Sequence, residues 1–251
     1  MNKPPTFQFR PGTIDEAVFQ SVFERNEYRV PPRLPSGSVV VDIGVHVGSF
    51  SCLVLTRGAA KVYGFEPEPG NLAQARRNLQ AFGSKVELFP FALWRSDVVA
   101  QPLHFWPSSD RANTGGGTVI WETDGPVVDS VPFDDAIARI TTGGQRIALL
   151  KIDCEGAEFP ILLTSKRLGW IDRIVGEYHE LKAVVPLHAR VPGVDKFALE
   201  SLVAHLEANG FSVSVEKQTS GEYGDMGLFF AARPRKSGSW LRRLFGSRPT
   251  S

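Results

Sequence analysis

The sequence has few cysteines, no long apolar run and no excess of either charge. Only Cys52 and Cys154 occur among its 251 residues, and both lie inside apolar runs. Two isolated thiols do not make a disulfide framework, so we expect reduced cysteines in a reducing compartment. The formal net charge is +1, which argues against a nucleic-acid groove built on bulk charge.

Long apolar segments are also missing. No stretch approaches the ~20 consecutive apolar residues that a membrane-spanning helix needs. The first residues, MNKPPTFQFRPG, lack the apolar centre of a signal peptide. We therefore expect a cytoplasmic protein with one full hydrophobic core, for which 251 residues are sufficient.

The end of the chain is basic. Residues 234–251 contain five basic residues and no acidic one. Residues 238–246 combine apolar and arginine side chains in a pattern compatible with a short helix on a membrane surface or on a partner. Because Pro, Gly and Ser interrupt this segment, we favour a disordered and solvated tail for residues 234–251.

The beginning of the chain predicts a helix followed by a connector. Thr13 and Glu16 have the spacing of a capping box, and Ile14, Val18 and Val22 follow at four-residue intervals. The Pro-rich segment RVPPRLPSG comes next. We take residues 1–37 as a helical lead-in and residues 38–233 as the main domain.

Short apolar runs alternate with helical stripes through most of the main domain. This alternation predicts an α/β fold with a mostly parallel sheet and helices on both faces. Two final runs without a helix between them, 211–217 and 226–232, predict an antiparallel hairpin at the end of the sheet. Residues 101–132 break the pattern and suggest an inserted hairpin or lid. The predicted parallel strands are Ser38–Ile43, Lys61–Phe65, Lys85–Phe91, Ile147–Asp153 and Arg173–Tyr178.

A glycine turn follows the first of these strands, in VVVDIGVHVGSF (39–50). Asp42 ends the apolar run, at the sheet edge where α/β proteins bind ligands. Gly44 and Gly48 allow a sharp turn and close approach of the backbone to a ligand. The helix that starts near Ser49 offers free N–H groups to an anionic group.

Two ligands compete for this turn. A dinucleotide site would have G-x-G-x-x-G, but His46 occupies the central position, and Asp42 would be an unfavourable neighbour of a pyrophosphate. S-adenosylmethionine has no phosphate and offers an ammonium group, a carboxylate and a ribose diol. Asp42 therefore favours S-adenosylmethionine.

The second strand supplies an independent indication. Glu66, followed by Pro67, comes directly after KVYGF, and a carboxylate there can accept hydrogen bonds from both ribose hydroxyls. NAD sites also place an acid at this point, so Glu66 alone indicates only an adenosine-type ligand. Together with the glycine turn and the terminal hairpin, it favours a methyltransferase.

The motifs VVVDIGVHVGSFS, KVYGFEPEPGNLAQARRN, FALWRSD, LLKIDCEGAEFPIL and IVGEYHE occur in this order. Over roughly residues 13 to 232 the chain resembles the FkbM-type methyltransferases, a branch of the class I S-adenosylmethionine-dependent fold. The resemblance implies a seven-stranded sheet with a reversed last strand, and methyl transfer usually to a hydroxyl of a sugar or natural product. Val45 and His46 stand where the family commonly has Ala and Asn. His46 is placed to contact the methionine end of the cofactor.

The motif KIDCEGAE (151–158) contains the candidate catalytic residues Lys151 and Asp153. Asp153 is expected beside the sulfonium, where it would hold the acceptor hydroxyl, accept its proton or bind the methionine ammonium. Lys151 would anchor Asp153 or stabilise the developing alkoxide. Glu155 is predicted to bind the cofactor and to share the first turn of a helix with Glu158, which acids favour for structural reasons as well.

His179, in GEYHE, is the second candidate general base because it ends the fifth strand. Asp153, Glu155, Glu177 and His179 could also converge on a divalent cation. Their spacing is not diagnostic of a metal site, and none is predicted.

Two further sets of residues complete the predicted site. Ala92 and Leu93 are expected beside the adenine. An acceptor pocket is suggested by Tyr28, Trp106, Arg111 and Trp121.

The leading hypothesis is an S-adenosylmethionine-dependent O-methyltransferase acting on a glycan or secondary metabolite. The alternatives are an NAD-linked or nucleotide-sugar Rossmann enzyme and a cofactor-binding module without catalysis. The sequence does not name the acceptor.

Overall fold

The computed structural model describes residues 6–121, 124–181, 185–220 and 225–234. The α-helices within them are α1 Asp15–Phe19, α2 Ser49–Thr56, α3 Pro69–Leu79, α4 Phe133–Ile140, α5 Glu158–Thr164 and α6 Leu199–Ala208. A π-helical turn, Gln20–Glu24, follows α1, and 3₁₀ turns cover Gln80–Lys85, Leu168–Trp170 and Leu187–Ala189. The strands are β1 Val39–Ile43, β2 Lys61–Phe65, β3 Val86–Phe89, β4 Ala92–Trp94, β5 Leu103–His104, β6 Val127–Val128, β7 Ser130–Pro132, β8 Ile147–Ile152, β9 Arg173–His179, β10 Ser212–Ser220 and β11 Asp225–Ala232.

Seven strands form the central sheet, in the order β10-β11-β9-β8-β1-β2-β3. Strands β3, β2, β1, β8 and β9 are mutually parallel. Strand β11 lies between β9 and β10 and is antiparallel to both. This arrangement confirms the predicted class I methyltransferase fold with its reversed last strand.

Strand β1 shows why the parallel strands read as nearly continuous apolar runs. All five of its residues are buried, and alternate side chains point to opposite faces of the sheet. Val39, Val41 and Ile43 join the core on one face, which includes residues of α4, α5 and α6. Val40 joins the core on the other face, with α2 and the lead-in. Helices therefore cover both sides of the sheet, as expected for a parallel one.

Several predicted elements begin or end at residues other than those expected. The run 85–91 divides at Pro90, and β4 pairs with β7 in a separate two-stranded sheet. The helix after β8 begins only at Glu158. The predicted capping box does not form at the start of α1: the N-cap residue is Ile14, and the Oγ1 of Thr13 accepts the N–H of Asp15 at 3.3 Å.

The segment 101–132 contains the short β5–β6 hairpin and an antiparallel bridge between Trp106 and Thr118. None of the described helices combines the length and the apolar character needed to cross a membrane. The basic segment 235–251, including the proposed surface helix at 238–246, lies outside the described residues.

Candidate active site

A cavity of about 530 Å³ lies at the carboxyl ends of the parallel strands. Its volume falls within the ~300–1,000 Å³ typical of cofactor and ligand pockets. Strands β1, β2, β8 and β9 deliver residues to it, as expected for an open α/β sheet. The predicted site residues that line it are Gly44, His46, Ser49, Glu66, Pro67, Ala92, Leu93, Lys151, Asp153 and Glu155. Asp42, Gly48 and His179 are not among its lining residues.

The glycine turn after β1 forms one wall of this cavity. Gly44 and Gly48 have φ angles of 76° and 94°, and His46 adopts a φ of 53°. A Cβ on Gly44 would lie 1.9 Å from the carbonyl oxygen of Asp153. Only glycine therefore allows the turn to pack directly against the tip of β8.

Gly44→Ala is expected to lower the free energy of unfolding by about 3 kcal/mol or more, because left-handed strain adds to a clash with backbone. Gly58→Ala is the matched control. Gly58 has a φ of 94°, and the nearest atom to its Cβ position is the carbonyl oxygen of Leu34 at 3.9 Å, so we expect only about 1 kcal/mol. Urea unfolding of both variants measures the difference. Equal losses would contradict a steric role for Gly44.

Glu66 lies at the end of β2 with 5% of its surface exposed. Its Oε2 accepts the backbone N–H of His46 at 2.8 Å, and its Oε1 accepts that of Glu68 at 3.0 Å. Burial raises the pKa of Glu66 to about 7, although these two backbone donors lower it. Each carboxylate oxygen has a further lone pair for a ligand hydroxyl, so the group is both fixed and able to accept a diol.

Asp42, Lys151 and Asp153 form a line that runs from the core to the cavity. The Nζ of Lys151 lies 3.7 Å from the Oδ1 of Asp42 and 3.6 Å from the Oδ2 of Asp153, and the exposed fractions of the three side chains are 0, 5 and 26%. Asp42 also accepts the hydroxyl of Ser51 at 2.6 Å. The expectation that Asp42 meets a ligand ammonium is therefore not supported. It lies behind Lys151 and compensates the charge of that lysine.

The cation at Lys151 is stabilised from several sides. Its Nζ donates to the carbonyl oxygen of Gly44 at 2.6 Å. Burial lowers the pKa of Lys151, but Asp153 and Asp42 outweigh this and raise it above its usual value. Burial raises the pKa of Asp42. Lys151 is thus a fixed positive charge just beneath the cavity surface.

Asp153 presents its carboxylate to the cavity. Burial raises its pKa, but Lys151, His179 and the hydroxyl of Tyr28 together hold it below the usual range. The Oδ2 of Asp153 accepts the Tyr28 hydroxyl at 2.9 Å. Asp153 is therefore ionised at neutral pH and accessible to a ligand.

The loop between β8 and α5 differs from the predicted helical turn. Glu155 has a φ of 53° and Gly156 a φ of 101°, so Glu155 lies before the helix and does not share a helix face with Glu158. Glu158 is fully buried and accepts the N–H groups of Cys154 at 2.6 Å and Gly156 at 2.9 Å, which is a structural role. Glu155 faces the cavity, and burial raises its pKa to about 7.

His179 is not supported as a general base. Its Nε2 lies 3.4 Å from the Oε2 of Glu155, and its Nδ1 lies 3.4 Å from the Oε1 of Glu158. Burial lowers the pKa of His179, but Glu158 and Glu155 raise it to about 10. The ring is therefore protonated at neutral pH and has no lone pair for an acceptor proton.

Three of the residues considered for a cation do converge. Asp153, Glu177 and His179 each place one ligand atom within 4.8 Å of the others. His179 would bind a metal only after losing the proton that its neighbouring carboxylates stabilise. No metal is assigned here.

A hydrogen-bonded network connects His46 to the lead-in. The hydroxyl of Thr114 donates to the Oδ1 of Asp15 at 2.9 Å, and the Nε2 of His46 lies 2.8 Å from the same hydroxyl oxygen. Arg10 donates its Nε–H to Asp15 at 2.8 Å. Burial lowers the pKa of His46 to about 4, so its ring is neutral and Nε2 carries the proton given to Thr114. No local sequence pattern predicted this network, since its members lie far apart along the chain.

The predicted acceptor residues are mostly elsewhere. Tyr28 lines the cavity, but Trp106, Arg111 and Trp121 do not, and Trp106 is 48% exposed. Residues of the lead-in (1–37) and of the insertion (101–132) line the cavity in place of the three predicted residues. The lining residues that the sequence reasoning missed include Ile14, Val18, Val22, Arg25, Glu27, Phe105, Asn113, Val119 and Cys154.

A family described as "Methyltransferase FkbM domain" matches residues 42–213. The chain belongs to the FkbM methyltransferase family. The resemblance seen in the motifs is thereby confirmed. This FkbM-family chain is 26% identical to Methyltransferase 1 of Beauveria bassiana, over 80% of the chain and 83% of that protein.

A second relative is much longer than this FkbM-family chain. It is the AMB antimetabolite synthetase AmbE of Pseudomonas aeruginosa, 26% identical over 91% of the chain. The chain spans 12% of the length of that synthetase.

Solved structures with a similar fold include methyltransferase FkbM from Methylobacillus flagellatus KT. It has a TM-score of 0.48 and 16% identity, over 84% of this chain and 47% of that one. Magnesium protoporphyrin IX methyltransferase from Synechocystis PCC 6803 with bound SAM has a TM-score of 0.40 and 13% identity, over 92% of this chain and 87% of that one.

Proposed function

We propose that this FkbM-family methyltransferase uses S-adenosylmethionine to methylate a hydroxyl of a sugar, glycan or secondary metabolite. The observation that carries the proposal is the pair Glu66 and Asp153. Their carboxylates belong to two sheet tips that flank β1, and both line one cavity. The Glu66 carboxylate is held by two backbone N–H groups and keeps lone pairs for a diol. The Asp153 carboxylate is anionic and accessible from the cavity.

The cavity residues suit the parts of this cofactor. Glu66 would hold the ribose hydroxyls, with Pro67 beside it, and Ala92 and Leu93 would contact the adenine. The methionine end would lie along the turn from Gly44 to Ser49, where backbone approach is closest. Asp42 would act through Lys151 rather than by direct contact.

The bound cofactor would supply a methyl group on a sulfonium, which is already a good leaving group. The protein would align the acceptor oxygen and remove its proton. Asp153 would accept that proton at a carboxylate oxygen, a contribution worth about 10²–10⁴-fold in rate. Lys151 would stabilise negative charge that develops on the acceptor oxygen, and alignment in the enclosed cavity would supply about 7–11 kcal/mol.

Two other functions were considered from the sequence. The dinucleotide-linked enzyme is not favoured, because the matched family is one of methyltransferases. A cofactor-binding module without catalysis would not need an ionised, accessible carboxylate beside a buried lysine. The cytoplasmic location expected from the sequence stays a prediction.

Calorimetry of the purified chain with S-adenosylhomocysteine and with NAD⁺ tests the cofactor. Binding of S-adenosylhomocysteine and not of NAD⁺ is expected, and the reverse would overturn the proposal. Transfer of labelled methyl groups to a panel of sugars and hydroxylated natural products tests the reaction. A chain that binds the cofactor but labels no acceptor of any class would favour the non-catalytic module.

The raised pKa of Glu66 predicts a pH dependence of cofactor binding. Above pH 7 the ionised carboxylate accepts both ribose hydroxyls. Below pH 7 its proton removes one acceptor position, so the affinity for S-adenosylhomocysteine should fall as the pH drops from 8 to 6. Glu155 also titrates near pH 7, and Glu66→Gln, which retains Glu155, is the control. Calorimetry across this range should give a shallower profile for Glu66→Gln than for wild type, because only Glu155 still titrates there, and an unchanged slope would exclude Glu66 as the source.

A further inference from the structure

Tyr28 connects the lead-in to the predicted catalytic carboxylate. Its side chain is 2% exposed, and its ring packs edge-to-face on Phe50 with centroids 5.5 Å apart. Its hydroxyl donates to the Oδ2 of Asp153 at 2.9 Å across 125 residues of sequence. The Tyr28 hydroxyl is therefore already hydrogen-bonded within the protein. This differs from the predicted role of Tyr28 as an aromatic surface for the acceptor.

The backbone around Tyr28 is held in an uncommon conformation. Asn26 and Arg29, on either side of it, have φ angles of 55° and 50°. Asn26 closes the turn through two side-chain bonds of 3.0 Å to the N–H and carbonyl of Val30, and Arg57 of α2 donates to Asn26 at 3.0 Å. Non-glycine residues in this region cost of order 1–3 kcal/mol each and persist where the surroundings fix them. These contacts therefore fix the turn at residues 26–30 and, with it, the position of Tyr28.

The same oxygen of Asp153 has a second neighbour. The Nζ of Lys151 lies 3.6 Å from Oδ2 and 5.9 Å from the centre of the Tyr28 ring. Tyr28 and Lys151 thus approach Oδ2 together. Both contacts use Oδ2, so neither occupies the lone pairs of Oδ1, which can accept a hydrogen bond from an acceptor hydroxyl.

We propose that Tyr28 is a positioning residue, which orients the Asp153 carboxylate for proton removal from the acceptor. The inference rests on the proposed function, since it assigns Asp153 as the general base. It also makes residues 26–30 part of the active site, although they lie outside the segment 42–213 that matches the family.

The test is Tyr28→Phe in the full chain, which keeps the ring and removes the hydroxyl. Loss of a hydrogen bond to a charged group should raise the pKa of Asp153 by about one unit, and loss of its orienting contact should lower kcat by about tenfold to a hundredfold. The titration of the Asp153 carboxyl, followed by ¹³C NMR against Asp153→Asn, should shift by the same amount without any substrate. The other charged groups that face Asp153 are Lys151, Asp42, Glu27, Glu155, Glu177 and His179, and they are unchanged in this comparison.

Tyr63→Phe is the matched control, because Tyr63 lies on β2 with its ring beside Lys61 and outside the cavity lining. Tyr63→Phe should leave both kcat and the titration of Asp153 unchanged. Asn26→Gly, which tolerates the positive φ but removes the clamp on Val30, should shift the Asp153 titration in the same direction as Tyr28→Phe. An unshifted Asp153 titration in Tyr28→Phe would overturn the inference. A shifted titration in a chain that methylates no acceptor would instead count against the proposed function.

Discussion

Asp153→Asn should reduce methyl transfer by about 10²–10⁴-fold while the affinity for S-adenosylhomocysteine changes less than about threefold. The loss is that expected for removing a general base. Asparagine has nearly the same shape and can still accept the Tyr28 hydroxyl, so the cavity wall should stay in place. Single-turnover transfer from labelled S-adenosylmethionine, at saturating cofactor and acceptor, measures the chemical step without product release.

Asp135→Asn is the control for this substitution. Asp135 is exposed on α4 and does not line the cavity, and its amide variant should methylate at the wild-type rate. A decrease in cofactor affinity that matches the decrease in rate would mean that Asp153 binds the methionine ammonium instead. Wild-type turnover by Asp153→Asn would remove the general-base assignment entirely.

The electrostatics behind this expectation depend on the buried line that ends at Asp153. Two carboxylates flank one lysine, and only the outer carboxylate reaches the cavity. Without Asp42, the buried charge of Lys151 would be opposed only by the more exposed Asp153, and removing one partner of a buried ion pair is costly. Asp42 therefore helps to stabilise the charge of Lys151 in the core. Lys151 in turn lowers the pKa of Asp153.

Much of the fold was predictable because its signals are local. Parallel strands buried on both faces must be apolar nearly throughout, and β1 and β8 show this directly. The positions of Gly44 and Glu66 followed from the rule that ligands meet the carboxyl ends of such strands. Gly44 and Glu66 directly follow parallel strands, which is why they could be predicted and also why they line the cavity.

The remaining features depend on contacts that a linear pattern does not record. The orientation of Asp42 toward the interior is set by Lys151 and Ser51. Glu155 was predicted to share a helical turn with Glu158 because the two are three residues apart, yet its left-handed conformation delays the start of the helix to Glu158. The pairing of Tyr28 with Asp153 joins two segments that no periodicity relates.

Glu66→Ala should weaken the binding of S-adenosylhomocysteine by about 100-fold or more. A carboxylate that accepts two hydroxyls makes two charge-assisted hydrogen bonds, each worth about 1.5–3 kcal/mol, and 1.4 kcal/mol corresponds to tenfold in affinity. The substitution also removes the acceptor of the His46 and Glu68 N–H groups, which should loosen the glycine turn. Isothermal calorimetry above pH 8, where Glu66 is ionised, measures the full effect.

Two further variants separate these contributions. Glu66→Gln keeps one oxygen acceptor for the backbone and should lose about tenfold in affinity, between wild type and Glu66→Ala. Glu87→Ala removes an exposed acid on β3 that pairs with Lys61 at 3.2 Å, and it should bind S-adenosylhomocysteine like wild type. Because 2′-deoxy-S-adenosylhomocysteine lacks one hydroxyl of the diol, wild type should bind it more weakly, while Glu66→Ala should distinguish the two ligands much less. If Glu66→Ala keeps the full preference for the diol, another residue holds the ribose and the cofactor lies differently in the cavity.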